Sequence, residues 1–370
     1  MLSKLSQHWD LIQGTLFPKL KEKEEMPEMT RTHTRLIGVL ELVRVEKFFP
    51  YFNYTGRPES DRRAIARAFV AKSIYNMGET NSFIEFLVND PILRRICGWD
   101  NKKDIPSEST FSRAFAEFSK MGLPTRIHEA FIREYHEDRL IGHISRDATA
   151  IEVREKAEKK PKEEEKPPLP KKKRGRPKKG ELREISPKEL TRLERQLSMS
   201  LAEILADLPT KCDVGTKIDS KGFKKSWKGY KLHIDTADGD IPISAILTSA
   251  STHDSQVSIP LAKTTARRVN YLYELMDAAY DATVIRDYTL STGHVGLIDF
   301  NHRGPNDERK FELFEAERYK KRSSAERSNS QLKDNYAGRR IRVRGPKKVM
   351  CHLMFGVLCL AVEQTLRTLT

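Results

Sequence analysis

At 370 residues the chain is long enough for two or three domains with an ample core in at least one. A hydrophobic fraction of 38% and a mean hydropathy of −0.61 describe a polar, charge-rich protein, and no stretch approaches the roughly 20 uncharged apolar residues of a membrane span. With 67 basic against 52 acidic residues, a net charge of +15 and a pI near 9.5, the composition points to a polyanionic partner, nucleic acid before membrane.

The charge is concentrated. Residues 154–180 hold 13 Lys/Arg against 5 Glu, a net of +8, and residues 318–348 hold 12 against 2, a net of +10. The opening MLSKLSQHWDLIQG lacks the basic and apolar regions of a secretory signal. Four scattered cysteines (Cys97, Cys212, Cys351, Cys359) form no C-x-x-C pair, which suits a reducing compartment and argues against a disulfide framework or a zinc site.

Residues 1 to about 140 read as helical. DRRAIARAFVAKSIYNM (61–77) carries apolar residues at helical spacing. NSFIEFLVNDPILRRICGW follows, with Asn81 or Ser82 as N-cap and Pro91 as a break. In IPSESTFSRAFAEFSKMG (105–122), Ser107 or Ser109 caps a helix that puts Phe111, Phe115 and Phe118 on one face and ends at Gly122. Short helices with basic faces suit helix-turn-helix DNA binding, and equally a bundle that packs or dimerises.

At GHISRDATAIEV (142–153) the period changes to the alternation of a strand. The following REKAEKKPKEEEKPPLPKKKRGRPKKG is charge and proline, with nothing to bury, and reads as a disordered or extended loop. SPKELTRLERQLSMSLAEILADL (186–208), with Ser-Pro at its start and Leu190, Leu193, Leu197, Leu201 and Leu205, is predicted to be one amphipathic helix. Two alternating runs around ADGD (226–252) form a hairpin. A helix at 253–268, a buried strand ending in acids (NYLYELMDAAYDA), a strand in HVGLIDFNHRG, the basic helix from Arg318 and an apolar core helix from Pro346 complete the chain. Hairpins first and βα units after predict a mixed sheet with helices on its faces.

Three carboxylates occupy positions that a hydrolytic metal site would use: Asp147 in the first strand, Asp277 at the end of the apolar strand, and Glu326 on the basic helix. Each also has a plainer reading as a cap, turn or surface residue. Asp281, four residues past Asp277, competes for the second place; Asp254 is better explained as a helix N-cap. At roughly 100° per residue, Tyr319, Arg322, Glu326 and Lys333 share an arc of about 60°, with Asn329 at its edge. An aromatic, two cations and an acid do not make a core stripe. They suit either a salt-bridged surface or a face toward phosphate and metal.

YKKRSSAERSNSQLK also fits the Y-x2-R-x3-E-x6-K signature of bacterial insertion-sequence transposases with an Asp-Asp-Glu active site. WKGYKLHID, STHDS, MDAAYD and DFNHR resemble blocks of that family's catalytic domain, in order, and 61–120 more loosely resembles its helical N-terminal domain. The resemblance implies an α/β, RNase-H-like mixed sheet flanked by helices in 139–370, interrupted by a basic insertion at 154–210, after an all-helical domain in 1–138 for DNA binding or dimerisation. It implies Asp147, Asp277 and Glu326 as ligands of two Mg²⁺ ions, with Mn²⁺ able to substitute. Tyr319, Arg322, Lys333, Asn301 and Arg303 would position terminal DNA. The expected partners are double-stranded DNA, as terminal inverted repeats and as target, and a second copy in a homodimer; the expected place is the bacterial cytoplasm at the nucleoid. Arg-Gly-Arg-Pro in 171–179 resembles an AT-hook, with Arg174 and Arg176 in the minor groove, or else is a polybasic tether. A cut-only nuclease of the same fold and a non-catalytic, repeat-binding repressor are the alternatives.

Overall fold

The computed structural model describes residues 28–49, 61–158, 190–218, 222–301 and 309–369. Arg174, Arg176, Arg303 and the AT-hook-like stretch lie outside the described residues.

Among the described residues six α-helices come first: α1 (Arg31–Val43), α2 (Arg62–Ile74), α3 (Thr80–Asn89), α4 (Pro91–Cys97), α5 (Glu108–Met121) and α6 (Leu123–His136). Local chemistry sets their ends. Thr30 and His33 form a capping box at α1. Asp90 caps α4 through the Leu93 N–H, with Pro91 in the first turn where its missing N–H costs nothing. Gly122 ends α5 in the left-handed region, φ 62°. α3 begins at Thr80, ahead of the expected Asn81 or Ser82, and its N-cap Glu79 makes no capping bond. Ser107 stands at the N-cap of α5, yet its hydroxyl bonds Ser109 and Thr110 instead of the backbone.

A six-stranded sheet follows: β1 (Leu140–Glu152), β2 (Asp213–Ile218), β3 (Lys224–Ala237), β4 (Ile241–Ser249), β5 (Asn270–Met276) and β6 (Val295–Ile298). The order is β2-β3-β1-β5-β6, and β4 also pairs with β3. β1 runs antiparallel to β3 and parallel to β5, which is parallel to β6. The β3–β4 hairpin turns at Gly239 and Asp240, both at positive φ (79° and 60°), the twist a tight hairpin requires. β2 has no counterpart in the sequence reading. Four of its six residues are exposed and it pairs only along the outer half of β3, so it carries little apolar alternation.

The expected 23-residue leucine helix is two short ones among the described residues, α7 (Arg192–Gln196) and α8 (Leu201–Asp207). Thr191 and Ser200 each build a capping box, with Glu194 and Glu203, so the second box starts a new helix where the periodicity suggested continuation. Leu190, Leu197 and Leu205 are exposed; Leu201 is buried.

α9 (Ser255–Ala266) and α10 (Thr283–Ser291) cover one face of the sheet. α11 (Leu313–Tyr319), a 3₁₀ turn at Lys320–Arg322 and α12 (Ser323–Asn335) lie toward the other, where α12 packs on β1 and β3. On the first face Arg146 is fully buried between two acids, donating to both oxygens of Asp235 (2.7 and 2.9 Å) and to Glu274 (3.1 Å), and it ties β1 to β3 and β5.

α13 (Pro346–Leu369) packs against α1, α2, α5 and α6 as well as β4 and α12. One continuous apolar core therefore runs from Leu36 in α1 through the sheet to Val362. α13 is the one helix among the described residues long and apolar enough to cross a membrane, but 89% of its apolar window is buried inside the protein. It is a core helix.

Candidate active site

β1 and β5 run in parallel with Ile144 opposite Glu274 and Ser145 opposite Leu275. Asp147 lies two residues past Ser145 on β1, and Asp277 two residues past Leu275, just beyond the end of β5; residues two apart on a strand share a face. Asp277 ends β5 and accepts the Ala279 N–H at 3.0 Å, capping the turn that follows. Its cap role and its place at a strand end coexist.

Burial pushes the Asp147 carboxyl up to about 6, against bonds from the Ala148 N–H and Asn329, and the charge of Asp277 adds to the rise. Burial likewise raises Asp277. Two carboxylates that both hold protons more tightly than usual, close enough to sense each other, form a site that prefers added positive charge.

α12 supplies that neighbourhood. Asn329 Nδ2 donates to Asp147 Oδ2 at 2.9 Å, while its Oδ1 is buried without a partner. Arg322 lies within electrostatic reach of both Asp147 and Asp277 and binds Glu326 at 2.5 Å. Its guanidinium stands 5.8 Å from the Tyr319 ring centre, and that ring packs on Phe311 at 4.9 Å. Burial lowers the Lys333 ammonium, with Glu152 and Asp147 pulling the other way.

The structure thus brings Tyr319, Arg322 and Glu326 together and draws Asp147 and Asp277 together. It does not gather all three acids: the half-exposed Glu326 is held by Arg322, and among the described residues no group of three or more His, Cys, Asp or Glu is placed to hold a metal ion. The donor chemistry still fits a hard divalent cation, since the two half-buried carboxylates and the orphaned Asn329 amide oxygen are all oxygen ligands.

The rival acids behave differently. Asp281 accepts from the Asn301 N–H and from Arg286, which hold it below the usual carboxylate range in spite of its burial. Asp254 stands at the N-cap position of α9 but makes no capping bond. Lys231 takes its carboxylate at 2.8 Å, which corrects the reading of Asp254 as a capping side chain. Asn301 is exposed and touches this region through its backbone.

Asn329 was legible only as a residue at the edge of the helical arc. Its contact with Asp147 depends on how α12 lies across β1, which no local pattern encodes. Arg318, stacked 4.0 Å from the Tyr273 ring centre on β5, was not singled out at all, and its place in the basic run gave no signal.

Residues 210–362 match the family model described as Transposase DDE domain, and residues 19–117 match Transposase domain (DUF772). The first match takes in Asp277 and Glu326 and begins after β1, so Asp147 lies outside it. No curated protein matches the chain.

Proposed function

We propose, on the premise of two segments similar to transposase domains, that this chain is an insertion-sequence transposase of the Asp-Asp-Glu type. It cuts the ends of its element and joins the freed 3′-OH to target DNA. The carrying observation is the Asp147–Asp277 pair facing α12, which bears Glu326 and Lys333, with Tyr319 at the end of α11 and Arg322 in the 3₁₀ turn between the two helices, where the sequence predicts one continuous helix. An antiparallel trio of strands continued by two parallel ones, with an acid on the central strand, supports an RNase-H-like catalytic half.

Asp147, Asp277 and Glu326 would hold Mg²⁺, or Mn²⁺ in its place, as two ions. When bound, these supply the activation of water and the charge neutralisation that phosphodiester cleavage needs. The raised carboxyls of Asp147 and Asp277 mark a pair that added positive charge would stabilise. Arg322 has two competing uses, as partner of Glu326 and as ligand of a DNA phosphate. A phosphate that takes the guanidinium frees Glu326 to join the aspartates, so DNA engagement completes the acid set. Asn329 holds Asp147 in position, Tyr319 packs against or bonds the terminal nucleotide, and Lys333 neutralises a phosphate near Asp147. We place the activity at the nucleoid, in a homodimer that brings two ends together.

The deciding experiment starts from the DNA flanking the coding region, where terminal inverted repeats supply the substrate duplex. Glu326→Gln should abolish Mg²⁺-dependent cutting of that duplex and leave binding intact. Lost binding would make Glu326 structural. A wild-type chain that binds the repeats and never cuts would be a repressor, and one that cuts without joining a nuclease.

A further inference from the structure

Away from the acids, a cleft of about 590 Å³ opens between the helical half and the segment that follows α12. Its charged lining is Lys72, Arg154, Arg342, Arg344 and Lys348 against Glu79 and Glu108. Arg342 binds Glu79 at 2.7 Å. Arg154, Arg344 and Lys348 have no acidic partner among the described residues, so their field is directed into the cleft.

Lys72 is the unusual member. It is 5% exposed, and its ammonium has a single hydrogen bond, to the Gly78 carbonyl at 2.9 Å. Burial pushes it down to about 8. The nearest acid acting on it is Glu79, which Arg342 already holds, so the buried ammonium remains under-compensated unless a further anion comes to it.

The walls are already fixed. Asn76 donates to the Asp334 carbonyl (2.6 Å) and accepts the Ala337 N–H (2.7 Å), and Val153 bridges Ile341. A preformed cleft loses little on binding.

We propose that this cleft seats the sugar–phosphate backbone of one DNA strand, on the same DNA whose end lies at the acids. A lone anion would need one focus of cations. Here they come from three separate segments, α2, the residue after Val153 and 342–348. Arg154 lies two residues past the end of β1, the strand that carries Asp147, so one stretch of chain links the acids to the cleft. Beyond Arg154 the sequence enters its first basic block. The choice of DNA as the polyanion rests on the transposase reading; the cleft as a polyanion site does not.

The test uses the full chain and a fluorescein-labelled 40-base-pair duplex of arbitrary sequence. Anisotropy is followed from about 50 to 300 mM NaCl for wild type, for Arg154→Ala/Arg344→Ala/Lys348→Ala, and for a control that removes the same charge from α5, α6 and the turn after α6, Lys120→Ala/Arg126→Ala/Arg139→Ala. The cleft triple should weaken binding by about tenfold or more and flatten the log K against log salt slope by about 2, since each phosphate contact contributes about 0.9. The control should change the slope by less than half as much. Equal effects of the two triples, or an unchanged slope in the cleft triple, would overturn the proposal. Inorganic phosphate competing as well as the duplex would reduce the cleft to a small-anion site and overturn it too. A slope lost in the cleft triple of a chain that never cuts DNA keeps the cleft and discards the transposase reading; cutting with an unchanged slope does the reverse.

Discussion

Asp147 and Asp277 occupy corresponding places on the parallel β1–β5 pair, each two residues past the aligned Ser145 and Leu275, although 130 positions separate them in the sequence. Neighbouring strands lie about 4.8 Å apart, so two carboxylates placed in this way sense each other. The rise in the Asp147 pKa, with Asp277 among its causes, is the electrostatic trace of that placement.

The pair separates Asp277 from its rival. Asp277→Asn should abolish metal-dependent cutting, whereas Asp281→Asn should lower it modestly and chiefly loosen the 277–301 turn, where Asp281 holds Arg286 and the Asn301 N–H. Single-turnover cleavage of an end duplex measures both. The reverse ranking would transfer the second-acid role to Asp281.

Asn329→Ala should reduce cutting by roughly 10- to 100-fold with DNA binding retained, the usual effect of removing a group that orients a metal-binding carboxylate. A cutting rate within twofold of wild type would remove Asn329 from the site.

Acid should unfold the protein early. His128 and His352 are buried and held down to about 3, and His136 and His233 to about 4, by burial first; cations add to this for all four, and at His233 the charge of Asp254 opposes it. A depressed histidine pKa means that the unfolded chain binds protons first, so stability falls as pH drops below about 6.5 and continues to fall toward 4. At pH 5 each fully buried histidine costs about 2 kcal/mol. Asp147, raised to about 6, acts in the opposite sense between about 4 and 6 and offsets part of the loss. Urea midpoints between pH 8 and 5 should therefore fall; a flat profile would contradict the buried neutral imidazoles.

Removing the cation from the Arg146 cluster leaves Asp235 and Glu274 buried together. Arg146→Met should cost about 3–5 kcal/mol, whereas the concerted Arg146→Met/Asp235→Leu/Glu274→Leu change should cost much less. Urea denaturation of both variants checks this.

Gly356 gives a mechanical test of α12, the helix that carries Glu326 and Lys333. A Cβ there would come within 2.8 Å of Leu332 Cδ1 and of the Tyr336 carbonyl, where α13 presses on α12. Gly356→Ala should cost about 1–3 kcal/mol and also slow cutting by displacing α12. Lost stability with unaltered cutting per folded molecule would uncouple α12 from the chemistry.

Much of this was legible locally. The strand at 142–153, the ADGD hairpin, the helical N-terminal half and the buried C-terminal helix all follow from apolar period and turn residues, which act over a few positions. What was not legible depends on distant partners. β2 exists because β3 offers it an edge, not through its own pattern. The split between α7 and α8 came from two capping boxes competing with a continuous leucine period, and the caps prevailed. Asp254 has the spelling of an N-cap, and Lys231 on β3 claimed its charge. Asn329 and the Arg154–Arg344–Lys348 cleft required the packing of α12 and α13 against elements far away in sequence.

The role of α13 has a consequence for synthesis. Since this helix closes the core for the helical half and the sheet alike, neither surface is covered until residues 346–369 have left the ribosome. A nascent chain must hold both apolar faces open until α13 emerges, which makes it a poor candidate for expression in pieces. Fragments ending before residue 346 should aggregate, not fold into halves.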